Sequence, residues 1–237
     1  MADRFYTPQP LAPGDVTLDG PEAHHLSAVR RFEPGDRVTL FNGDGREYPA
    51  EVIAVDRKRA TLHVTAVLDT DRESPVRLTV AAALPKGDRA DFLVEKLTEL
   101  GVAYFIPLVT LRSVVVPKAT TVEKLARVVI EASKQCGRNR LMTVGPPMAW
   151  RDFLARRDGL QLLLHTTDGA PLPAGDFAGG VTVAVGPEGG FAPGEVADAV
   201  AAGRVVLGLG PRVLRVETAA VVAAAWVQSR ASTGQFI

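Results

Sequence analysis

The chain has 237 residues, 46% hydrophobic and 23% charged, so it can bury a sizeable core and is neither disordered nor fibrous. Lys and Arg number 27 and Asp and Glu 27, so the formal net charge is zero and the chain as a whole does not attract nucleic acid electrostatically. A single cysteine, Cys136, excludes an intramolecular disulfide and a cysteine-based zinc cage.

The opening stretch "MADRFYTPQPLAPGDV" lacks the apolar segment of a signal peptide. The longest apolar run, "AAVVAAAWV" from Ala219, is far shorter than a bilayer-spanning helix. A soluble, cytoplasmic protein with no membrane contact is expected. "PEAHHLSAVRR" (21–31) reads as a short helix, with Pro21 in its first turn and Leu26 and Val29 on an apolar face. His24 and His25 are adjacent there and share no face, so metal binding by the pair is not expected. From Asp36 to Leu68 the rhythm is strand and turn. Val38 and Leu40, Val52 and Val55, and Leu62 and Val64 mark short strands, with "NGDG" and "DRKR" as turns. A small β-barrel domain over residues 1–72 follows, ending in the linker-like "DTDRES" (69–74).

After Pro75 strands and helices alternate. "VRLTVAAAL" is a strand, and "DRADFLVEKLTELG" is a helix closed by Gly101. "VAYFIPLV" is the next strand, followed by a helix from Thr121 to about Cys136. "LQLLLHT", "GVTVAVG", "PGEVADAVAAG", "RVVLGLG" and "ETAAVVAAAWVQSR" continue the alternation. Continuous apolar strands are the mark of a parallel sheet covered on both faces. Residues 73–237 are therefore expected to form an α/β domain around a mostly parallel sheet.

Ligands of open α/β sheets bind at the C-terminal strand ends. Three such ends stand out: His165-Thr166-Thr167, Gly186 to Gly190, and "LGLGPRVLRVET" (207–218). The glycines at 186, 189 and 190 would let the backbone approach a ligand closely. A Walker phosphate loop, a GxGxxG after the first α/β strand, a GxSxG elbow and an HExxH helix are all absent. That argues against a nucleotide-triphosphatase, a dinucleotide enzyme, an α/β-hydrolase and a zinc protease.

Seven basic residues lie between Arg112 and Arg140, against only Glu123 and Glu131. On the helix 121–136, Val122, Leu125, Ala126, Val129 and Ala132 fall at helical spacing and should face the core. Lys124, Arg127, Lys134 and Arg138 would then face solvent, either as an ordinary solvated face or as a phosphate-binding stripe continued by "GRNR" (137–140).

"EKLTELG" (95–101), "QCGRNR" (135–140), "GPEGGF" (186–191) and "LGPRVLRVETAA" (209–220), in this order, resemble the RsmE-type methyltransferases of the SPOUT superfamily. "HHLSAVRRFEPGDRVTLFNGDG" (24–45) resembles their PUA-like barrel. The resemblance covers nearly the whole chain. It implies a C-terminal SPOUT α/β domain with a deep trefoil knot, a homodimer, and bound S-adenosylmethionine as cofactor, with no metal. The activity implied is methylation of N3 of a uridine in 16S ribosomal RNA, with the RNA or the small ribosomal subunit as partner. Two other readings stay open: a SPOUT enzyme acting on a ribose 2′-OH or another base, and a non-catalytic RNA-binding module.

Carried onto this sequence, the resemblance implies a cofactor site at His165, Thr166, Gly186, Pro187, Glu188, Gly189, Gly190, Leu209, Gly210, Val213, Leu214 and Thr218. Backbone groups of Thr166, Gly186, Leu209 and Leu214 would bond the adenine and ribose, with Leu209, Val213 and Leu214 packing the ring. For the charge that develops on the uridine, Arg212 and Arg215 are the candidates, with Arg138 and Gln135 reaching in from the helix end. Glu217 is either a base or a carboxylate favoured by a helix N-terminus. Glu188 would orient the loop or an arginine. Many relatives carry an acidic residue where this chain has Lys134, so no base is assigned there. The RNA contacts expected are Arg30, Arg31 and Arg37 of the barrel with Lys86, Lys124, Arg127, Lys134 and Arg140.

Overall fold

The computed structural model describes residues 3–56, 58–166 and 177–231. It divides into two units, Met1–Glu73 with Ser133–Leu141, and Ser74–Ala132 with Met142–Ile237. The segment 133–141, which the sequence assigns to the second domain, thus packs with the first.

The first unit is built on β1 (Arg4–Tyr6), β2 (Gly14–Asp19), β3 (Arg37–Phe41), β4 (Tyr48–Val55) and β5 (Arg59–Val64). Their order is β1-β3-β4-β5-β2, with β1 parallel to β3 and the other pairs antiparallel. No pairing joins β1 to β2 among the described residues, so the expected barrel is an open half-barrel. "NGDG" connects β3 to β4 and "DRKR" connects β4 to β5, with Arg57 outside the described residues. The expected helix is α1 (Gly20–His24) followed by a π-helical turn, His25–Val29. Ala23 and Leu26 from this segment enter a core with Phe5, Val38, Leu40, Tyr48, Val52 and Leu62. The side chain of Val29 lies outside the described set. Each large apolar group buried in this way contributes about 1.5–3 kcal/mol.

In the second unit β6 (Leu78–Ala82), α2 (Asp88–Glu99), β7 (Tyr104–Val109) and α3 (Ala119–Cys136) match the predicted order. Next come β8 (Thr143–Val144), β9 (Met148–Ala149) and the short α4 (Trp150–Leu154), which the sequence reading does not contain. The unit finishes with β10 (Leu160–Leu164), β11 (Val181–Val185), α5 (Pro193–Ala201), β12 (Val205–Leu207) and α6 (Val216–Ala231). The sheet order is β12-β10-β11-β6-β7-β8, with β9 also on β7, and every pairing is parallel. Every residue of β6 and β11 is buried, as helices on both faces require. α6 packs on β6, β11 and α2. Trp150 and Phe153 of α4 and Ala199 of α5 pack with Ala81, Ile106, Leu163 and Ala184. Because β10 lies between β12 and β11, the loops that leave their C-terminal ends are neighbours.

The basic stripe on α3 is not what helical periodicity predicts. Leu125, Val129 and Ala132 are buried, but Ala126 is exposed and Lys134 and Arg138 are buried. Lys134 Nζ donates to Glu22 Oε1 at 2.9 Å. The Arg138 guanidinium grips Glu73 with two bonds, Nε to Oε1 at 3.0 Å and Nη2 to Oε2 at 2.5 Å. Arg4 adds a bond to Glu47 at 2.5 Å, one to Asn139 Oδ1 at 2.5 Å and one to the Arg138 carbonyl at 3.3 Å. Arg72 binds Glu47 and the Gly137 carbonyl. "QCGRNR" is therefore a clasp of charge-assisted hydrogen bonds within the first unit. Burial raises the Glu47 carboxyl, but bonds from Arg72 and Arg4 outweigh it and hold the group below its ordinary range.

Candidate active site

The loops that follow β10, β11 and β12 enclose a cleft of about 280 Å³, at the small end of ligand pockets. His165 and Thr166 line it after β10, and Thr167 lies outside the described residues. Gly186, Pro187, Glu188, Gly189 and Gly190 line it after β11. Leu209, Gly210, Arg212, Val213 and Leu214 line it after β12. Thr218, on the exposed side of α6, does not line it, and neither do Arg215 and Glu217. Leu164, Val185, Leu209, Leu214, Val216 and Ala219 make much of the wall apolar. Among the described residues, the main chain of Leu209–Leu214 makes no backbone hydrogen bond.

The three glycines of "GPEGG" are not alike. A Cβ on Gly186 would stand 3.0 Å from Phe191 Cδ2 and 3.2 Å from the Phe191 nitrogen. Phe191 is itself buried against Trp150, with ring centroids 4.9 Å apart, so it has nowhere to go. Gly186 is required by this packing within the protein. Gly190 sits at φ 67°, where an L side chain is strained. A Cβ on Gly189 would make only ordinary contact, 3.5 Å from Arg112 Cδ.

Behind the cleft Arg89, in the first turn of α2, binds Glu188 Oε1 at 3.1 Å and stands 3.8 Å from Glu217 Oε1. Glu217 is buried in the first turn of α6, and its Oε2 has no hydrogen-bond partner among the described residues. It does not reach the cleft, so its place is that of a carboxylate at a helix N-terminus, paired to a cation. Glu195, also buried, accepts from Ala192 N and from Leu111 N, both at 2.8 Å, and so ties the glycine loop to the end of β7.

Sequence reasoning missed Arg89 and Glu195. A cation in the first turn of a helix opposes the helix dipole and calls for a carboxylate partner, which was the available sign for Arg89. Glu195 follows Ala192 by three residues, half of a capping box, but alanine has no side chain to return the bond.

None of the remaining candidates lines the cleft. Gln135, exposed, and Arg138, buried on Glu73, belong to the first unit. Arg138 was expected to present its charge outward, and the Glu73 pair removes that option. Lys134 is likewise spent on Glu22. Arg31 and Arg37 are exposed, Arg30 pairs with Asp3, and Arg140 lies on Gly45 beside Asp69 and Asp71. In the second unit Lys86 and Arg127 are exposed, and Lys124 pairs with Asp91 at 2.7 Å. Among the described residues no cluster of His, Cys, Asp and Glu is arranged to hold a metal, and no helix is long and apolar enough to cross a membrane.

Comparison with known proteins accounts for this arrangement. Residues 72–228 match the family model of an RNA methyltransferase domain, and residues 18–65 match that of an RNA methyltransferase PUA domain. The chain is 31% identical over 230 residues to ribosomal RNA small subunit methyltransferase E of Synechocystis sp., covering 94% of this chain and 75% of that one. It is 30% identical to the Bacillus subtilis protein of the same name, with 87% of each covered. The crystal structure of ribosomal RNA small subunit methyltransferase E from Neisseria gonorrhoeae, bound to S-adenosylmethionine, superimposes with a TM-score of 0.91 at 33% identity, over 97% of this chain and 98% of that one. The chain belongs to the ribosomal RNA small subunit methyltransferase E (RsmE) family of RNA methyltransferases.

Proposed function

We propose that the cleft holds S-adenosylmethionine and that the protein methylates N3 of a uridine in small-subunit ribosomal RNA. The observation that carries this reading is the cleft itself, an apolar slot at three strand ends, edged by the main chain of Leu209–Leu214, which makes no backbone hydrogen bond among the described residues. Such a slot suits a purine ring, with main-chain groups to bond its edge. When bound, the cofactor supplies a methyl group already made electrophilic by the sulfonium. The protein's part is to hold the two reactants in line, an effect that can reach roughly 7–11 kcal/mol. Arg212 at the cleft and Arg215 beside it are exposed cations suited to the negative charge left when N3 loses its proton. Glu188 is the carboxylate of the lining, and it is engaged by Arg89. The exposed Arg31 and Arg37 of the half-barrel would extend the RNA footprint.

On α6 Val222 is exposed, as is Val213 ahead of the helix. Apolar surface of this kind favours a second copy of the chain as partner, hence a homodimer. The strand order β12-β10-β11-β6, with α6 returning from the β12 edge to pack on β6 and α2, supports the knotted threading. A ribosomal substrate makes the cytoplasm the place of action.

The test is calorimetry with S-adenosylmethionine, followed by methyl transfer to unmodified small ribosomal subunits and mass-spectrometric mapping of the product nucleoside. Cofactor binding with 3-methyluridine as product is expected. A ribose-methylated or other base product would replace the proposed position, and failure to bind the cofactor would leave an RNA-binding module.

A further inference from the structure

Resting on that reading, we infer that Arg112 is an anchor for a phosphate group of the RNA substrate beside the cofactor cleft. Its backbone is fixed before any substrate arrives. Arg112 lies in a tight turn after β7, where Ser113 N donates to Thr110 O at 3.1 Å and Thr110 N to Ser113 Oγ at 2.9 Å. The buried Glu195 holds the preceding residue, Leu111, with the same carboxylate that holds the end of the glycine loop.

The side chain is fixed as well. Arg112 Nη1 donates to the Gly189 carbonyl at 2.8 Å and to the Phe191 carbonyl at 3.5 Å. Its stem lies over Gly189, where a Cβ would be 3.5–3.6 Å away. "GPEGGF" thus lines the cleft and also carries an arginine.

Both acceptors are neutral, so they orient the guanidinium without compensating its charge. Among the described residues Arg112 forms no ion pair, although it is exposed, whereas Arg89 and Lys124 each face a carboxylate. Two-pronged recognition of phosphate by arginine uses N–H groups on one edge of the planar head. With Nη1 occupied by the loop, the Nε and Nη2 edge remains for that use. A group ordered in advance loses little freedom on binding. RNA offers a phosphate at every nucleotide, and this cation stands at the site where one nucleotide must be held.

Arg112→Ala and Arg112→Lys, made in the full chain, test the inference on unmodified small ribosomal subunits. For Arg112→Ala, kcat/KM should fall by roughly tenfold or more, the scale of one lost charge-assisted contact. The plot of log kcat/KM against log monovalent salt should flatten by about 0.7–0.9. Affinity for S-adenosylmethionine by calorimetry should stay that of the unaltered protein. Arg112→Lys should recover the salt slope, since it keeps the charge, but only part of the rate. An unchanged salt slope would overturn the inference. So would weakened cofactor binding at an unchanged slope, which would make Arg112 a support for the loop. Leu111, Val114 and Val116 beside it are 79%, 61% and 66% exposed, so sedimentation of Arg112→Ala is measured as well. Loss of mass there would assign the residue to a protein interface instead. If the unaltered protein neither binds the cofactor nor transfers methyl, the functional reading fails first, and visibly apart from these results.

Discussion

Alanine placed at each glycine of "GPEGG" in turn should separate three physical causes within five residues. At Gly186 the new methyl would be 3.0 and 3.1 Å from the Phe191 ring and 3.2 Å from its backbone nitrogen. Phe191 is 3% exposed and its ring lies tilted against Trp150, so relief has to come from the loop. Overpacking of this kind costs about 1–3 kcal/mol, and displacing the loop should abolish tight cofactor binding. Gly190→Ala meets no atom within 4 Å but stays at φ 67°, a strain of about 1–2 kcal/mol. Gly189→Ala makes ordinary contact with the Arg112 stem and should lie within about 0.5 kcal/mol of the parent. Urea unfolding with calorimetric cofactor binding reads all three. The reasoning is refuted if Gly189→Ala costs as much as Gly186→Ala, or if Gly186→Ala binds the cofactor normally.

Arg138→Met should destabilise the first unit by about 3 kcal/mol in urea unfolding, the low end for one partner lost from a buried pair because Glu73 keeps some solvent contact. Cofactor affinity should not change, and a loss of affinity without a loss of stability would return Arg138 to the catalytic site. Arg89→Met should cost about 1–2 kcal/mol by leaving Glu217 buried without its cation. Adding Glu217→Gln should recover part of that cost, and additivity of the two changes would show the pair uncoupled. Glu47 has a carboxyl pKa lowered in the folded protein, so between that pKa and the ordinary 4.5 the unfolded chain binds more protons. Its contribution is complete above about 4.5 and is lost as pH falls through the folded value. Acid unfolding should be shallower in Glu47→Gln once their stabilities are matched, and identical slopes would discount the network.

What was legible in the sequence was local. β6 and β11 declared themselves because a strand covered on both faces reads as a near-continuous apolar run, and "LTVAA" and "VTVAV" are apolar at every position but one, a buried threonine in each. The cleft was legible for the same reason, since a parallel sheet opens its crevice at strand ends and glycines marked two of them. β1, with only "RFY", and the mostly polar "GDVTLD" of β2 carry too little alternation to be seen. They are ordered by pairing with β3 and β5.

By itself, then, the sequence determined the order of the longer strands and helices in the second unit, the strand ends that form the cleft and, through its motifs, the family. Tertiary structure decided which charges are free. Lys134 and Arg138 have the spacing of a solvated face, but Glu22 and Glu73 meet them from 112 and 65 residues away. It also decided that Gly186 answers to Phe191, and that carbonyls, with no carboxylate among the described residues, hold Arg112. Periodicity reports which side of a helix or strand is apolar, because neighbours along the chain set it. Whether an ion is neutralised depends on which distant group folds against it, and Coulomb attraction between residues remote in sequence leaves no periodic trace.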